Sequence, residues 1–225
     1  MIAEPLMHFS DPEINILDGR LWAWSDGGRP QAMMKVEAHL WNGDVLPQVT
    51  WVHCFVSTSP ERVVAVWPNG PKFAARDPGL KLETFPEAPR PAESKSARLT
   101  QMKALARRFS SRQVDEAKKD LEMRLLPTPI YRYADRAAGV QDGAAFAFAS
   151  SGTNPTLLLL VELSQPEGGE ATWQYSLARM TVRAMTVKLD NHVVYEQAFA
   201  GFGGVTQPSW LAFPQKGILP EEPEK

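Results

Sequence analysis

Bulky aromatic residues alternate with alanine in two separate stretches of the chain. The segment Trp22–Trp24 reads Trp-Ala-Trp, and Phe146–Phe148 reads Phe-Ala-Phe. A period of two is typical of a β-strand that carries its rings on one face and its small side chain on the other. The small face predicts the close approach of another structural element.

Both stretches lie in longer segments that match when the chain is shifted against itself by 124 residues. In the ungapped window that pairs Pro5–Gly28 with Pro129–Gly152, six positions are identical and six more exchange similar residues. The identical positions include an Asp-Gly turn dipeptide before each aromatic strand. One inserted residue later, Pro30–Glu37 pairs with Pro155–Glu162. The conserved order predicts an internal duplication, with chance similarity between strand-rich segments as the alternative.

Each copy is predicted to form a short antiparallel meander. A second strand follows at residues 32–40 or 156–163. A third begins at Trp51 or Trp173, and alternation over Trp51–Phe55 places aromatic rings on one of its sides. The first copy has a fourth strand at 62–67, and the second copy has two more around the turn Asp190-Asn191. We therefore predict a strand-rich α+β fold. Its two antiparallel sheets either pack face to face or continue into each other about a pseudo-two-fold axis.

The segment between the copies has a different pattern. Pro68–Pro91 is rich in proline and predicts an extended loop. Apolar residues recur at helical spacing over 99–109, with Ser96 as the N-cap. A second helical stretch is predicted over 114–121, where Asp115 and Lys119 are oppositely charged and spaced i to i+4. We expect this segment to cover an apolar face of a sheet. The predicted parts are a first β repeat (1–70), a proline-rich loop plus helical linker (71–127), a second β repeat (128–200) and a C-terminal tail (201–225).

Composition narrows the class of protein. The chain has 225 residues, of which 44% are hydrophobic and 22% charged, which is ordinary for a globular protein. The formal net charge of −2 provides no general attraction for nucleic acid. No apolar run approaches the roughly 20 residues of a membrane span, and the N-terminus lacks the pattern of a signal peptide.

Metal, cofactor and nucleophile motifs are not found in the sequence. The four histidines include no pair at the close spacing of a metal site, and a lone cysteine, Cys54, excludes a multi-cysteine site. Ser150–Gly152 and Gly201–Gly204 match neither the nucleophile elbow nor the P-loop, and are interpreted as loops. We therefore predict no metal and no cofactor.

Four carboxylates recur in both copies and are the candidate catalytic groups: Asp18, Glu37, Asp142 and Glu162. Glu162 follows an apolar run, and an acid buried in such a place would be a candidate general acid. Arg179 is a further candidate for the catalytic set. The structural interpretation is turn capping by the aspartates and ion pairing by the glutamates, with Arg179 as the candidate partner. Recurrence favours the structural role, because a catalytic group is usually needed once.

Two surfaces are candidate binding sites. Seven tryptophans are many for this length, and Trp41 and Trp210 lie near turn residues, so these two are the ones expected to present exposed rings to a sugar or a peptide. Core packing is the alternative for all seven. The predicted helix also has a basic face, with a solvated surface as the favoured interpretation and an anion site as the alternative. Its six residues are Lys95, Arg98, Lys103, Arg107, Arg108 and, just beyond the helix, Arg112.

The blocks Leu125–Asp135, Asp142–Phe148, Gly152–Glu162 and Tyr175–Thr181 resemble a family of uncharacterised bacterial proteins, with the pattern LLPxPxYRY, DGAxFxF, GTNPxxLLLxE and YxLARMT. The helix Arg98–Phe109 fits the same pattern. The resemblance implies an envelope or exported protein and carries no activity, substrate or cofactor.

The sequence thus favours a non-catalytic binding or scaffolding protein of the bacterial cell envelope, with a carbohydrate or a protein as ligand. The alternative is a hydrolase that uses paired carboxylates between the repeats; a third option is an anion-binding regulator. Nucleic acid is not an expected partner, and the oligomeric state is left open. The periplasm, or secretion as a mature form, is the expected location, with the cytoplasm as the alternative.

Overall fold

The computed structural model describes residues 2–42, 47–67, 72–115, 117–165, 168–201, 205–206 and 209–217. In these ranges it has one α-helix, α1 (Lys95–Ala106), and a short 3-10 turn, Pro12–Ile14. The strands in chain order are β1 (Met7–Asp11), β2 (Ile16–Ser25), β3 (Pro30–Asn42), β4 (Pro47–Ser57), β5 (Val64–Val66), β6 (Lys72–Ala74), β7 (Glu83–Thr84), β8 (Phe109–Val114), β9 (Asp120–Leu125), β10 (Tyr131–Asp135), β11 (Val140–Ala149), β12 (Leu157–Ser164), β13 (Thr172–Arg179), β14 (Ala184–Leu189), β15 (His192–Gln197), β16 (Val205–Thr206) and β17 (Trp210–Gly217).

All strand pairs are antiparallel. The first sheet has six strands in the order β1-β2-β3-β4-β17-β16. The second has nine, in the order β15-β14-β8-β9-β11-β12-β13-β7 with β10 also paired to β11, while β5 and β6 form a separate hairpin. The predicted strand-rich, antiparallel character is confirmed. The α+β class is confirmed only in part, because the described chain is mostly β with one 12-residue helix.

The predicted helix over 114–121 is wrong. The described residues of this stretch connect β8 to β9. The Asp115 N–H donates to the Lys119 carbonyl at 2.9 Å, the Lys118 N–H donates to the Asp115 carbonyl at 3.1 Å, and the Asp115 carboxylate accepts the Lys119 N–H at 2.7 Å. Alternate residues of β8 are buried, which is the period of a strand. The pairing of Asp115 with Lys119 at i to i+4, which indicated a helix, instead closes a turn.

Helix α1 confirms the first helical prediction in part, because it begins and ends earlier than expected, at Lys95 and Ala106, and Phe109 begins β8. Ser94, rather than Ser96, is the N-cap, and its hydroxyl accepts the Ala97 N–H at 3.2 Å. Met102, Leu105 and Ala106 are buried, and they pack on one face of the second sheet. The helix thus covers an apolar sheet face, as predicted.

The core strands of the two halves pair in the same register. Phe9 lies opposite Gly19 in β1–β2, and Tyr133 lies opposite Gly143 in β10–β11, 124 residues later. A Cβ on either glycine would come within 2.6 Å of the facing ring, so each ring packs on its glycine. Both strand pairs are irregular at the following aspartate. The match continues in the next strands, where Glu37 faces Gly19 and Glu162 faces Gly143.

The two sheets pack face to face across a shared hydrophobic core. Ala23 and Ala147 are both fully buried in it, which confirms that the small face of each aromatic strand approaches another element. β17, from the predicted tail, belongs to the first sheet and adds Trp210 and Ala212 to this core. The last eight residues, 218–225, lie outside the described part.

The outer faces of the two sheets are covered differently. On the second sheet, Phe146 and Phe148 are 1% exposed within a cluster that includes α1 and strands β8 and β14. On the first sheet, the hairpin β5–β6 packs over Phe55 and neighbouring residues. Trp22 and Trp24, at the positions matching Phe146 and Phe148, are only half-buried. The first sheet therefore keeps a partly open aromatic surface. None of the helices in the described ranges has the length and hydropathy needed to span a membrane.

Candidate functional site

Glu37 is buried between the two sheets together with two basic side chains. Its carboxylate lies 2.7 Å from Lys35 Nζ and 3.1 Å from His39 Nε2. Burial raises the pKa of this carboxyl, but Lys35 and His39 outweigh that effect and lower the pKa to about 2. Glu37 is therefore ionised at neutral pH, so it is a poor general acid, and its low basicity makes it a poor general base.

Lys35 connects this acid to the other half of the molecule. Its ammonium group donates a hydrogen bond of 2.8 Å to Asn154 Oδ1, on the loop between β11 and β12. Lys35 is 2% exposed and Asn154 is also 2% exposed. A lysine can be buried in this way because both partners replace its lost hydration.

Glu162 occupies the matching position in the second half and is paired across the interface. Arg29 donates two hydrogen bonds to its carboxylate, 3.0 Å from Nε and 2.6 Å from Nη2. The Tyr133 hydroxyl donates a third at 2.8 Å, and burial together with Glu162 raises the Tyr133 pKa well above its usual value. Glu162 is fully buried, so its hydrogen-bonding capacity is used within the protein.

Arg179 does not pair with Glu162, so that prediction is wrong. Its guanidinium donates to the backbone carbonyls of Thr181, Arg183 and Ala198, and lies 5.1 Å from the centre of the Trp210 ring. Burial lowers the Arg179 pKa. Arg179 thus ties the segments after β13 and β15 to the core.

The two candidate aspartates differ in environment. Asp142 is buried and accepts hydrogen bonds from Arg98 of α1 at 2.9 Å and from Arg132 at 3.0 Å and 2.8 Å. Burial raises the Asp142 pKa, but these arginines outweigh it and hold the pKa below its usual value. Asp18 is exposed, with its side chain 52% accessible, and lies 3.4 Å from Arg20.

These carboxylates form no open catalytic site in the described part of the chain. Glu37, Asp142 and Glu162 are each neutralised by a neighbouring cation, and Asp18 stands apart at the surface. A cleft that brings two acids together around a substrate, which the hydrolase hypothesis requires, is not formed by these four residues. Among the described residues no cluster of His, Cys, Asp and Glu fits a metal ion.

Cys54 and Trp210 are also buried. Burial raises the Cys54 pKa to about 12, which removes its thiolate at neutral pH and with it any nucleophilic role. Trp210 is 1% exposed, so the expectation that it presents a ring at the surface is wrong. Trp210 lies on the inner face of β17, where its ring joins the core between the sheets. The Trp41 side chain lies outside the described part.

Aromatic side chains instead line the outer face of the first sheet. Contacts between ring centres run from Trp24 to Phe55 (6.2 Å), Phe55 to Trp67 (5.8 Å), Trp67 to Phe213 (5.1 Å) and Phe213 to His53 (4.8 Å). We call this surface the aromatic face; its half-buried members are Trp22, Trp24, Trp51, His53, Trp67 and Phe213. Burial lowers the His53 pKa, so its ring is neutral at pH 7.

Strand pairing orders the aromatic face into rows. One row runs Arg20, Val36, His53, Phe213, and the next runs Asp18, Ala38, Trp51, Gln215. The open end of the face therefore combines apolar rings with charged and amide groups at its edges. Sequence alternation at Trp22–Trp24 and Trp51–Phe55 marks part of this surface, but nothing in the sequence assigns Trp67 and Phe213 to it.

Two other surfaces are less suited to ligand binding. An open groove of about 430 Å³ is lined by Glu87, Pro89, Ala104, Leu105, Arg108 and Asp190. Arg108, the basic residue that lines this groove, is not available to an anionic ligand because it already forms a bidentate ion pair with Asp190. Arg112 likewise pairs with Asp120 at 2.7 Å. With Arg98 held by Asp142, half of the basic group predicted as an anion site is neutralised.

Comparison with known proteins does not assign the chain to a family. No protein-family model, no curated protein and no solved structure matches the chain. The geometry of the described residues is therefore the basis for assigning a function.

Proposed function

We propose that the chain is a non-catalytic binding or scaffolding protein whose ligand occupies the aromatic face of the first sheet. The observation that supports this proposal is the half-burial of Trp22, Trp51 and His53 on a sheet whose other face is closed by the core. Apolar patches left on a protein surface are characteristic of binding sites. Tryptophan is also among the residues that contribute most to binding energy.

The state of the carboxylates supports a non-catalytic role. The three buried acids are held in ion pairs, and an acid consumed by a structural ion pair is not available for proton transfer. The hydrolase hypothesis would require these pairs to open during turnover. Placement in a bacterial envelope stays a prediction that rests on the sequence resemblance alone.

We also propose that the two halves are copies of one unit, corresponding to the predicted repeats 1–70 and 128–200. Their shared register supports this, and so do their reciprocal contacts. Ser151 donates to the Asp11 carboxylate at 2.7 and 2.8 Å, while the Arg29 backbone N–H donates to Asp135 at 3.4 Å. The β2–β3 and β11–β12 loops thus each contact the matching aspartate of the other half.

Binding assays can test the role of the aromatic face. We expect intrinsic fluorescence titration against panels of oligosaccharides and helical peptides to find a ligand that saturates one site. Replacement Trp51→Ala should weaken that binding at least tenfold, because it removes a ring from the open end of the face. Phe199→Ala is the matched control, since Phe199 is 51% exposed on a segment outside the first sheet.

Two outcomes would overturn this proposal. One is that neither panel contains a ligand for the wild-type protein at concentrations up to about 1 mM, the weak end of specific recognition. The other is that Trp51→Ala and Phe199→Ala weaken binding equally. Hydrolysis of an oligosaccharide, lost in Glu162→Gln, would favour the hydrolase.

A further inference from the structure

We infer that the partner of the aromatic face is an amphipathic helix of another protein that carries an arginine at its edge. The inference rests on the proposed function, because it names the class of ligand for the same surface. On the second sheet, the matching face is already covered by a helix.

Helix α1 supplies the template. It packs in a cluster with Phe146, Val161 and Trp173, which match Trp22, Val36 and Trp51 of the first sheet in strand register. The equivalent surface of the first half therefore has the strand order and several of the apolar positions on which α1 lies. Trp51 and Trp173 are the same residue type at matching positions.

Each face carries an aspartate at its edge, and this residue indicates where a basic side chain of a covering helix would bind. Arg98 of α1 donates to Asp142 at 2.9 Å, and Asp142 matches Asp18 of the first half. Asp18 is exposed and lies 3.4 Å from Arg20, a contact between two half-accessible side chains. Surface pairs of this kind are weak, so an incoming arginine can compete for the Asp18 carboxylate. The open rings and the exposed acid together complement an apolar helix with a basic edge.

The hairpin β5–β6 limits how such a helix can lie. It packs at the Phe55 and Leu211 end of the face, whereas Asp18, Trp51 and Gln215 form the opposite end. The helix is therefore expected to cross the end that carries Asp18. Helix α1 of a second copy is an unsuitable occupant, because Met102, Leu105 and Ala106 are already buried in their own chain.

A synthetic peptide of residues 93–109 is a suitable probe, because it carries the α1 sequence. Its binding to the full-length protein can be followed by fluorescence anisotropy of a label on the peptide. We expect saturable binding that weakens about tenfold with Asp18→Arg in the protein and with Arg98→Asp in the peptide. The exchanged pair, Asp18→Arg protein with Arg98→Asp peptide, should recover most of the loss. Asp26→Asn, an exposed acid in the β2–β3 loop, should leave affinity unchanged.

The outcomes separate this inference from the proposed function. Peptide binding that ignores Asp18, or fails to recover in the exchanged pair, overturns the helical partner. If the peptide does not bind but an oligosaccharide does, and Trp51→Ala abolishes that binding, the aromatic face remains the ligand site and the partner class is wrong. If neither ligand binds, both proposals fail.

Discussion

Each half of this protein neutralises its buried glutamate with a different cation. Glu37 is paired within its own half by Lys35, whereas Glu162 is paired by Arg29 of the other half. The ordinary cost of burying an acid is several kcal/mol, and it is offset only where charged partners and hydrogen bonds are in place. The stability of the fold should therefore depend on these charged partners.

Acid titration should reveal the contribution of Glu37. Its pKa in the folded protein is about 2, compared with an unperturbed value of 4.5, so the folded state favours the ionised form. This contribution, of about 3 kcal/mol, is fully present above pH 5 and is lost as the pH falls towards 2. Unfolding free energies from urea titrations between pH 2.5 and 7 should fall less steeply for Glu37→Gln than for the wild type. The exposed-site variant Glu61→Gln should retain the wild-type slope, and an equal slope in Glu37→Gln would contradict the prediction.

Matching elements of the two halves also differ in their surroundings. Asp142 anchors α1 through Arg98, while the matching Asp18 has no helix to hold. An aspartate therefore lies at both matching positions, but Asp142 binds a helix to the sheet whereas Asp18 is exposed at the surface. This difference allows one half to serve as the control for the other.

Replacement of these two aspartates should have unequal effects. Asp142→Asn removes the charge that pairs with Arg98 and Arg132 and should destabilise the protein by about 2–3 kcal/mol. Asp18→Asn removes only a surface pair and should cost under about 1 kcal/mol. Hydrogen exchange of the α1 amides should accelerate in Asp142→Asn alone. Equal exchange rates in the two variants would show that Asp142 does not hold the helix.

At the scale of the whole molecule, the two halves are joined by a set of buried ion pairs and hydrogen bonds. Register places Leu160 at the position of Lys35, and Arg29 and Asn154 each directly precede a proline that begins the matching strand region. The cation is thus on the strand in one half and on the crossing loop in the other. The two arrangements are alternative ways to neutralise the buried carboxylates that lie at matching positions, Glu37 and Glu162.

Moving the cation should therefore restore a damaged interface. Arg29→Asn leaves Glu162 without a cation and should destabilise the protein by about 3–5 kcal/mol. Adding Leu160→Lys provides a cation from the strand, as Lys35 does for Glu37, and should recover at least half of the loss in chemical denaturation. Leu158→Lys is the control. Leu158 lies on the same face of β12, two residues further from Glu162 than Leu160, and its neighbours on the adjacent strands are Ala147 and Ala178. Equal recovery with either lysine, or none with Leu160→Lys, would contradict this account.

Local pattern predicted much of the strand architecture. Alternation at Trp22–Trp24 located β2, the apolar run before Glu162 located β12, and the Asp190-Asn191 turn was correctly placed between β14 and β15, where both residues have positive φ. It failed at 114–121, because i to i+4 charge pairs occur in turns as well as in helices. Each of these features depends on residues that are close together in the sequence, so the sequence alone is enough to predict it.

Long-range partners were decided only by the tertiary structure. The sequence identified Glu37 and Glu162 as recurring acids, but Arg29 lies 133 residues from Glu162, and only the packing of the sheets brings them together. Trp210 was expected at the surface and is buried because β17 joins the first sheet beside β4. Periodicity thus determined which residues share a face of a strand. Which faces are covered, and by what, depended on the docking of distant segments.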